Sequence, residues 1–147
     1  MTDSIIVNIS YSIKYSLSSG NHMLIHIGLV NINVSNDYFN DRSFVFDTGA
    51  AYTVLSKLDF IKLGYRKCDI VGKSAIGGFG QYPFKCVKYR IPMIKIVNNL
   101  ILRDPVVVVP DDAAFKINLL GQDILKKYNY YVDSRNQCIY FDVNFRQ

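Results

Sequence analysis

The tripeptide Asp47-Thr48-Gly49 is the part of the sequence whose residue types are best suited to chemistry. The apolar run Phe44-Val45-Phe46 leads into it, and two alanines follow it. A solvated loop acid normally has polar neighbours, whereas this carboxylate ends an apolar strand and has small residues after it. A carboxylate in such a position can exchange protons with a reacting group, because burial and nearby charges tune its pKa. The pattern therefore marks Asp47 as a candidate catalytic residue.

The stretch from Phe44 to Leu55 resembles the active-site signature of the aspartic peptidases. A second glycine signal, Leu119-Leu120-Gly121, narrows the resemblance to the retropepsin-like branch, which has the fold of retroviral proteases. The LLGQDIL run and the short helix predicted after the Asp47 loop look more like the bacterial and cellular members than the viral ones. The resemblance covers the chain from about Met23 to Val143 and is strongest at the Asp47 motif.

This resemblance implies a mostly β fold, namely a retropepsin-like closed β-barrel or sandwich with two pseudo-symmetric halves and two short helices. The composition agrees, because Ile, Val, Tyr and Phe dominate the apolar residues and the helix former Glu does not occur. Each half has a strand that ends near a glycine and is followed by a helix. The first helix is predicted over 56–64, where Ser56 and Asp59 form a capping pattern and Gly64 ends it. The second is predicted over 122–128.

The retropepsin-like domain is predicted to span residues 23–147, because residues 1–22 exceed the core of the family. Three roles for this N-terminal extension remain open. It is an extra strand, a dimer-building arm or a cleavable pro-segment.

Hydrolysis of a peptide bond by carboxylates alone needs two of them, one as a base toward water and one as an acid. The sequence contains no second Asp-Thr-Gly or Asp-Ser-Gly. Asp123 also follows a glycine, but it lies at a predicted helix start, where the helix dipole and capping explain a carboxylate. The resemblance implies that the second aspartate is Asp47 of another copy in a C2 homodimer. It also implies a peptide or protein substrate and no cofactor.

The resemblance assigns further roles around Asp47. It implies that the Thr48 hydroxyl pins the loop by donating to a backbone group, and that Gly49 lets its N–H approach the carboxylate where a Cβ would crowd it. Ala50, Ala51 and Tyr52 are expected to line subsites for the substrate. The glycine-rich bend Ile76-Gly77-Gly78-Phe79-Gly80 resembles the flap tip that closes over the peptide.

Two positions depart from the viral pattern. Viral enzymes usually carry an acid where this chain has Ala51 and an arginine where it has Gln122. Those two groups normally pair near the dimer contact, and their joint loss leaves no unpaired charge behind.

Other functional classes fit the sequence poorly. The formal net charge is +5, but the basic residues are scattered and form no stripe for nucleic acid. His22 and His26 lie in an apparent strand, and the three cysteines show no CxxC spacing, so a metal site is not expected. No apolar run has the length of a membrane span or the pattern of a signal peptide. We therefore expect a soluble, cytoplasmic protein with free thiols that binds neither nucleic acid nor membrane.

Two rival readings remain open at this point. In the first, the chain is a β-rich dimerisation or peptide-binding module that has kept the scaffold and cuts nothing. In the second, Asp47 is a structural acid that accepts backbone N–H groups in a monomer.

Overall fold

The structure is a computed structural model that describes residues 6–76, 84–97 and 100–146. Two short α-helices and one 3₁₀ turn (Tyr65–Lys67) accompany the strands in these ranges; the helices are α1 (Lys57–Lys62) and α2 (Gln122–Leu125). The strands are β1 (Ile6–Lys14), β2 (Ser16–Leu17), β3 (Met23–Val30), β4 (Phe39–Phe46), β5 (Asp69–Ile76), β6 (Phe84–Arg90), β7 (Met93–Val97), β8 (Leu100–Arg103), β9 (Val106–Pro110), β10 (Leu119–Leu120), β11 (Asn129–Asp133) and β12 (Cys138–Arg146).

The strands pair in three groups. The largest has the order β10-β4-β3-β7-β8, with β2 added along β3. A second group has the order β5-β6-β9, and a third the order β1-β12-β11. Val54, in the loop after β4, bridges to Val108 of β9 and to Leu119 of β10. The second group is therefore joined to the first beside the Asp47 motif.

The main core lies between the large sheet and the helices. Ile25, Ile27 and Leu29 alternate along one face of β3 and are fully buried, as the period of a half-buried strand requires. Phe46 of β4 packs edge-on against Phe141 of β12, with ring centroids 6.4 Å apart. Burial of side chains of this size contributes roughly 1.5–3 kcal/mol each.

A second, smaller core lies directly beneath the Asp47 loop. Ala50 and Val45 pack on it while remaining partly exposed. We call its buried members the small apolar cluster; they are Val54, Cys86, Val108, Phe115 and Leu119.

Strand β1 belongs to the predicted N-terminal extension. It runs antiparallel to β12 along its whole length, from the Ile6–Arg146 pair to the Lys14–Cys138 pair. Tyr11 and Ile13 pack against the main core. In the single chain, residues 6–14 therefore form a strand that pairs with β12.

Helix α1 has the ends that the sequence predicts. The Ser56 hydroxyl accepts a hydrogen bond from the Asp59 N–H, and Gly64 follows the helix with φ of 85°. That left-handed conformation favours glycine, and a Cβ here would lie only 2.7 Å from the Asn33 amide oxygen. The second helix is shorter than predicted and ends at Leu125, because the following Lys127 and Tyr128 N–H groups bond three residues back instead of four.

Candidate active site

Asp47 lies immediately after β4, at the point where β4 pairs in parallel with β10. Its backbone N–H donates to the Leu120 carbonyl across a distance of 3.1 Å, which continues the ladder by one residue. Phe46 is buried, whereas Asp47 itself is half-buried. The apolar strand therefore carries the carboxylate to the edge of the core and leaves it accessible.

The carboxylate is oriented by the turn that follows it. Asp47 Oδ1 accepts the Gly49 N–H at 3.0 Å, and the Asp47 carbonyl accepts the Ala50 N–H at 3.2 Å. The expected approach of the Gly49 N–H to the carboxylate is present. The expected crowding is absent, because a Cβ on Gly49 would meet only Asp47 Oδ1 at 3.5 Å, an ordinary contact. Within one chain, the Gly49 position has room for a methyl group.

The residues before α2 hold this loop through backbone bonds. Gln122 N–H donates to the Ala50 carbonyl at 2.8 Å, and Asp123 N–H donates to the Ala51 carbonyl at 3.1 Å. Gly121 makes this approach possible, since a Cβ there would lie 2.4 Å from the Tyr52 carbonyl oxygen. Gly121, the glycine of the Leu119-Leu120-Gly121 motif, is therefore required because a larger residue would collide with the Asp47 loop.

Among the described residues, the exposed tip of the loop is fixed through the Thr48 carbonyl. Gln122 Nε2 donates to the Thr48 carbonyl at 3.0 Å. The Thr48 side chain is exposed, and its hydroxyl forms no hydrogen bond with the residues that the structure describes. The expected pinning by the hydroxyl is not seen among these residues and stays a prediction. Gln122 also shows what replaces the missing acid and arginine pair, namely a neutral amide bonded to the backbone of the loop.

Thr53 and Asp123 form a contact that sequence reasoning missed. Thr53 is fully buried; its hydroxyl donates to Asp123 Oδ1 at 2.7 Å and accepts the Gly121 N–H at 3.1 Å. The Thr53 N–H donates to Asp123 Oδ2 at 3.1 Å, and the Ile124 N–H donates to Oδ1 at 2.9 Å. Asp123 therefore caps the start of α2, as predicted, and also anchors the loop. The available signal was a polar Thr53 directly before the apolar Val54 and Leu55.

Asn118 makes a second connection that the sequence did not indicate. Its side-chain oxygen accepts the Ser56 N–H at 2.8 Å. Its nitrogen donates to the Ser43 carbonyl at 3.1 Å and to Asp59 Oδ2 at 2.8 Å. Asp59 also pairs with Arg42 at 2.9 Å. One buried amide thus joins β4, the start of α1 and the segment that leads to β10.

The predicted subsite residues differ in exposure. Ala50 is half-buried on the small apolar cluster, Ala51 is exposed, and the Tyr52 side chain is 40% exposed. Lys88 Nζ lies 4.6 Å from the centroid of the Tyr52 ring. Whether these residues contact a substrate stays a prediction.

The predicted flap is described only at its base. Ile76 is the last residue of β5 and pairs with Phe84, the first residue of β6. Gly77, Gly78, Phe79 and Gly80 lie outside the described residues. The two strands that lead to and from this segment form the expected antiparallel hairpin.

The described ranges contain neither a metal-binding cluster nor a membrane-spanning helix. There, no group of three or more His, Cys, Asp or Glu side chains is arranged to hold a metal ion. In the same parts of the chain, no helix combines the length and apolar character needed to cross a membrane.

Comparison with known proteins identifies the fold. No family model and no curated protein matches this chain. Among solved structures, the crystal structure of a retropepsin-like aspartic protease from Rickettsia conorii matches over 100% of both chains, with 20% sequence identity and a TM-score of 0.62. The chain therefore has the retropepsin-like fold, which confirms the predicted mostly β architecture with its short helices.

Proposed function

We propose that this protein is an aspartic endopeptidase that hydrolyses peptide bonds in extended, partly apolar segments. Asp47 of each of two copies forms the catalytic pair across the axis of a homodimer. The observation that carries the proposal is the position of Asp47, half-buried at the end of β4 and oriented by the Gly49 N–H, in a retropepsin-like fold.

The proposal needs a second carboxylate, and Asp123 is an alternative within the chain because its N–H bonds to the Ala51 carbonyl of the Asp47 loop. Both oxygens of Asp123 already accept hydrogen bonds from Thr53, and Oδ1 also accepts the Ile124 N–H. A carboxylate that is committed to structural donors is poorly placed to exchange protons with water. This supports Asp47 of a second copy as the partner.

Two carboxylates about 3 Å apart repel each other, and at an effective dielectric near 20 double ionisation costs roughly 5 kcal/mol. The pair therefore retains one proton over a wide pH range and titrates as a unit. The ionised Asp47 accepts a proton from water as the water attacks the scissile carbonyl carbon, and the protonated Asp47 donates a hydrogen bond to the carbonyl oxygen. The Asp47 that took the proton from water then donates it to the leaving amine nitrogen as the C–N bond breaks and the carbonyl re-forms, which returns the pair to its initial protonation state.

The surroundings of Asp47 fit an extended and partly apolar substrate. The small apolar cluster lies beneath the loop, with Ala50 at its surface. The β5–β6 hairpin leads to the glycine-rich segment that resembles a flap, whose backbone groups would bond to an extended peptide.

The test is proteolysis of a denatured protein mixture by purified protein, at acid and neutral pH, with Asp47→Asn and Asp41→Asn as paired variants. Asp41 is exposed on the same strand, so its substitution serves as the matched control. We expect cleavage by the wild type and by Asp41→Asn, and none by Asp47→Asn. A wild type that leaves the mixture intact, or an Asp47→Asn variant that cuts as well as the wild type, would refute the proposal.

A further inference from the structure

Lys88 and Tyr52 form a positively charged site beside the Asp47 loop. Tyr52 lies five residues after Asp47 and is 40% exposed, and Lys88 Nζ sits 4.6 Å from its ring centroid. A lysine ammonium over an aromatic face at this distance is a cation–π contact. The ring therefore holds the ammonium near the loop.

The strand pairing explains why Lys88 reaches this position. Lys88 of β6 is paired with Val108 of β9, and Val108 bonds on its other side to the loop, donating to the Thr53 carbonyl and accepting from the Leu55 N–H. Directly paired residues on antiparallel strands share one face of the sheet. Val108 is buried in the small apolar cluster, so Lys88 emerges from the same face, at the edge of that cluster.

The charge of Lys88 is not neutralised within the part of the chain that the structure describes. There Arg42 forms an ion pair with Asp59, whereas Lys88 forms neither an ion pair nor a hydrogen bond to a side chain. An ammonium has three N–H donors, and an aromatic face satisfies them only weakly. Lys88 therefore retains donors for an additional acceptor.

Further charged side chains, of both signs, lie beyond Lys88 along the same face of β6. Arg90, two residues on, lines a cavity of about 290 Å³ together with Arg103 and Lys127. Asp104 and Asp123 also line it, and the Asp123 oxygens already accept bonds from Thr53 and Ile124. Asp69 lies directly opposite Arg90 in the β5–β6 ladder, so three carboxylates balance these three cations and Lys88 is left as the additional positive charge.

We infer that the enzyme selects peptides with an acidic side chain at the position that reaches Lys88 and Tyr52. A carboxylate would accept from the Lys88 ammonium, while a neighbouring apolar position of the peptide contacts Ala50 at the surface of the small apolar cluster. This inference rests on the proposed endopeptidase function and names one element of its specificity.

The experiment compares paired peptides that differ only by Glu or Gln at one position. A peptide mixture is first cut by the wild type to locate the preferred position, and kcat/KM is then measured for each member of the pair. We expect the Glu peptide to exceed the Gln peptide by about tenfold. Lys88→Met should bring the ratio of the two kcat/KM values near one, and Lys88→Glu should shift the preference to a Lys peptide.

Lys95→Met is the matched control. Lys95 Nζ lies 4.5 Å from the Phe39 ring centroid, so the same type of contact is removed. Phe39 begins β4, and the eight residues from it to Asp47 span about 26 Å of strand. Lys95→Met should keep the wild-type ratio of kcat/KM between the Glu and Gln peptides.

Binding gives a readout that does not require cleavage. An Asp47→Asn variant should bind a fluorescent Glu peptide more tightly than the Gln peptide, and adding Lys88→Met should remove the difference. Cleavage by the wild type with equal kcat/KM for the two peptides, or a ratio unchanged by Lys88→Met, would overturn the selectivity and leave the endopeptidase function standing. A wild type that cuts neither peptide would overturn both.

Discussion

Thr53 is a single residue that shapes the candidate active site without touching the reacting atoms. Its buried hydroxyl donates to Asp123 and accepts from the Gly121 N–H, and these bonds join the Asp47 loop to the start of α2. The Asp123 carboxylate also accepts a hydrogen bond from the Thr53 N–H. The position of Asp47 therefore depends on side chains that lie on a different segment of the chain.

Thr53→Val tests this dependence with little change in side-chain volume. The substitution leaves the Gly121 N–H without its buried partner and removes one of the two hydrogen bonds to Asp123 Oδ1, so we expect the free energy of unfolding to fall by roughly 1–3 kcal/mol. Urea denaturation measures the change. Thr48→Val is the stability control, because that side chain is exposed, and it should shift the unfolding free energy by less than about 0.5 kcal/mol. Equal effects of the two substitutions would contradict the proposed anchoring.

Tyr65 gives the folded state a defined response to alkaline pH. Its hydroxyl donates to the Val30 carbonyl, and burial, followed by the nearby Cys68, raises the pKa of Tyr65 well above its usual range. Above about pH 10 an unfolded chain ionises this tyrosine, whereas the folded chain keeps it protonated. The folded state then binds more protons, so the free energy of unfolding falls as pH rises.

We therefore expect Tyr65→Phe to weaken this decline. Urea denaturation of both proteins from about pH 8 to 11.5 brackets the ordinary tyrosine pKa of about 10. At about pH 8 the free energy of unfolding of the variant should be about 1 kcal/mol lower than that of the wild type, because the hydrogen bond to the Val30 carbonyl is lost. Above pH 10 the unfolding free energy of the variant should fall less steeply than that of the wild type. The two slopes should differ by up to about 1.4 kcal/mol per pH unit. Parallel curves above pH 10 would show that Tyr65 does not govern the alkaline response.

Among the secondary-structure elements, β4, α1 and β10 are connected by the buried Asn118. This amide accepts from Ser56, the residue that caps α1, and donates to Ser43 of β4 and to Asp59. The strand that carries Asp47 and the helix that follows its loop are thereby fixed to the same residue.

Asn118→Leu removes these bonds while keeping a side chain of similar size. We expect the free energy of unfolding to fall by roughly 2–4 kcal/mol, because the Ser56 N–H and a carboxylate oxygen of Asp59 lose buried partners. Chemical denaturation provides the measurement. Asn36→Leu, in an exposed turn, is the matched control and should change the value by about 0.5 kcal/mol or less. A similar loss in the control would indicate that the leucine itself is responsible.

Sequence patterns predicted the elements whose signals are local. The ends of α1 follow from Ser56, Asp59 and Gly64, which lie within nine residues of one another. The contact between Thr53 and Asp123 joins residues 70 positions apart, and no short pattern encodes it. Asp123 also had a sufficient local explanation at the start of α2, which concealed its second role. For Thr48 the sequence predicted a role for the hydroxyl, whereas the bond from Gln122 that holds the loop is accepted by the Thr48 carbonyl.

For the whole molecule, the proposed dimer predicts that inactive chains suppress active ones. In an equal mixture of wild type and Asp47→Asn, about one quarter of randomly formed dimers are wild-type pairs. Cleavage should therefore fall to about half the rate of the same amount of wild type alone, and to about a tenth with a ninefold excess of the variant. Adding Asp41→Asn chains in place of Asp47→Asn should raise the rate. If Asp47→Asn chains left the rate unchanged, each chain would hold a complete site.

The pairing of β1 with β12 has a consequence for how the chain reaches its native state. Ile6 lies opposite Arg146, so pairing these residues closes a loop that contains all the residues between them. The entropy cost of closing so long a loop delays this contact relative to local ones. During translation, Tyr11 and Ile13 emerge from the ribosome long before the strand that will cover them. Until residues 138–146 have been synthesised, β1 therefore lacks its pairing strand, and Tyr11 and Ile13 lack their neighbours across the ladder.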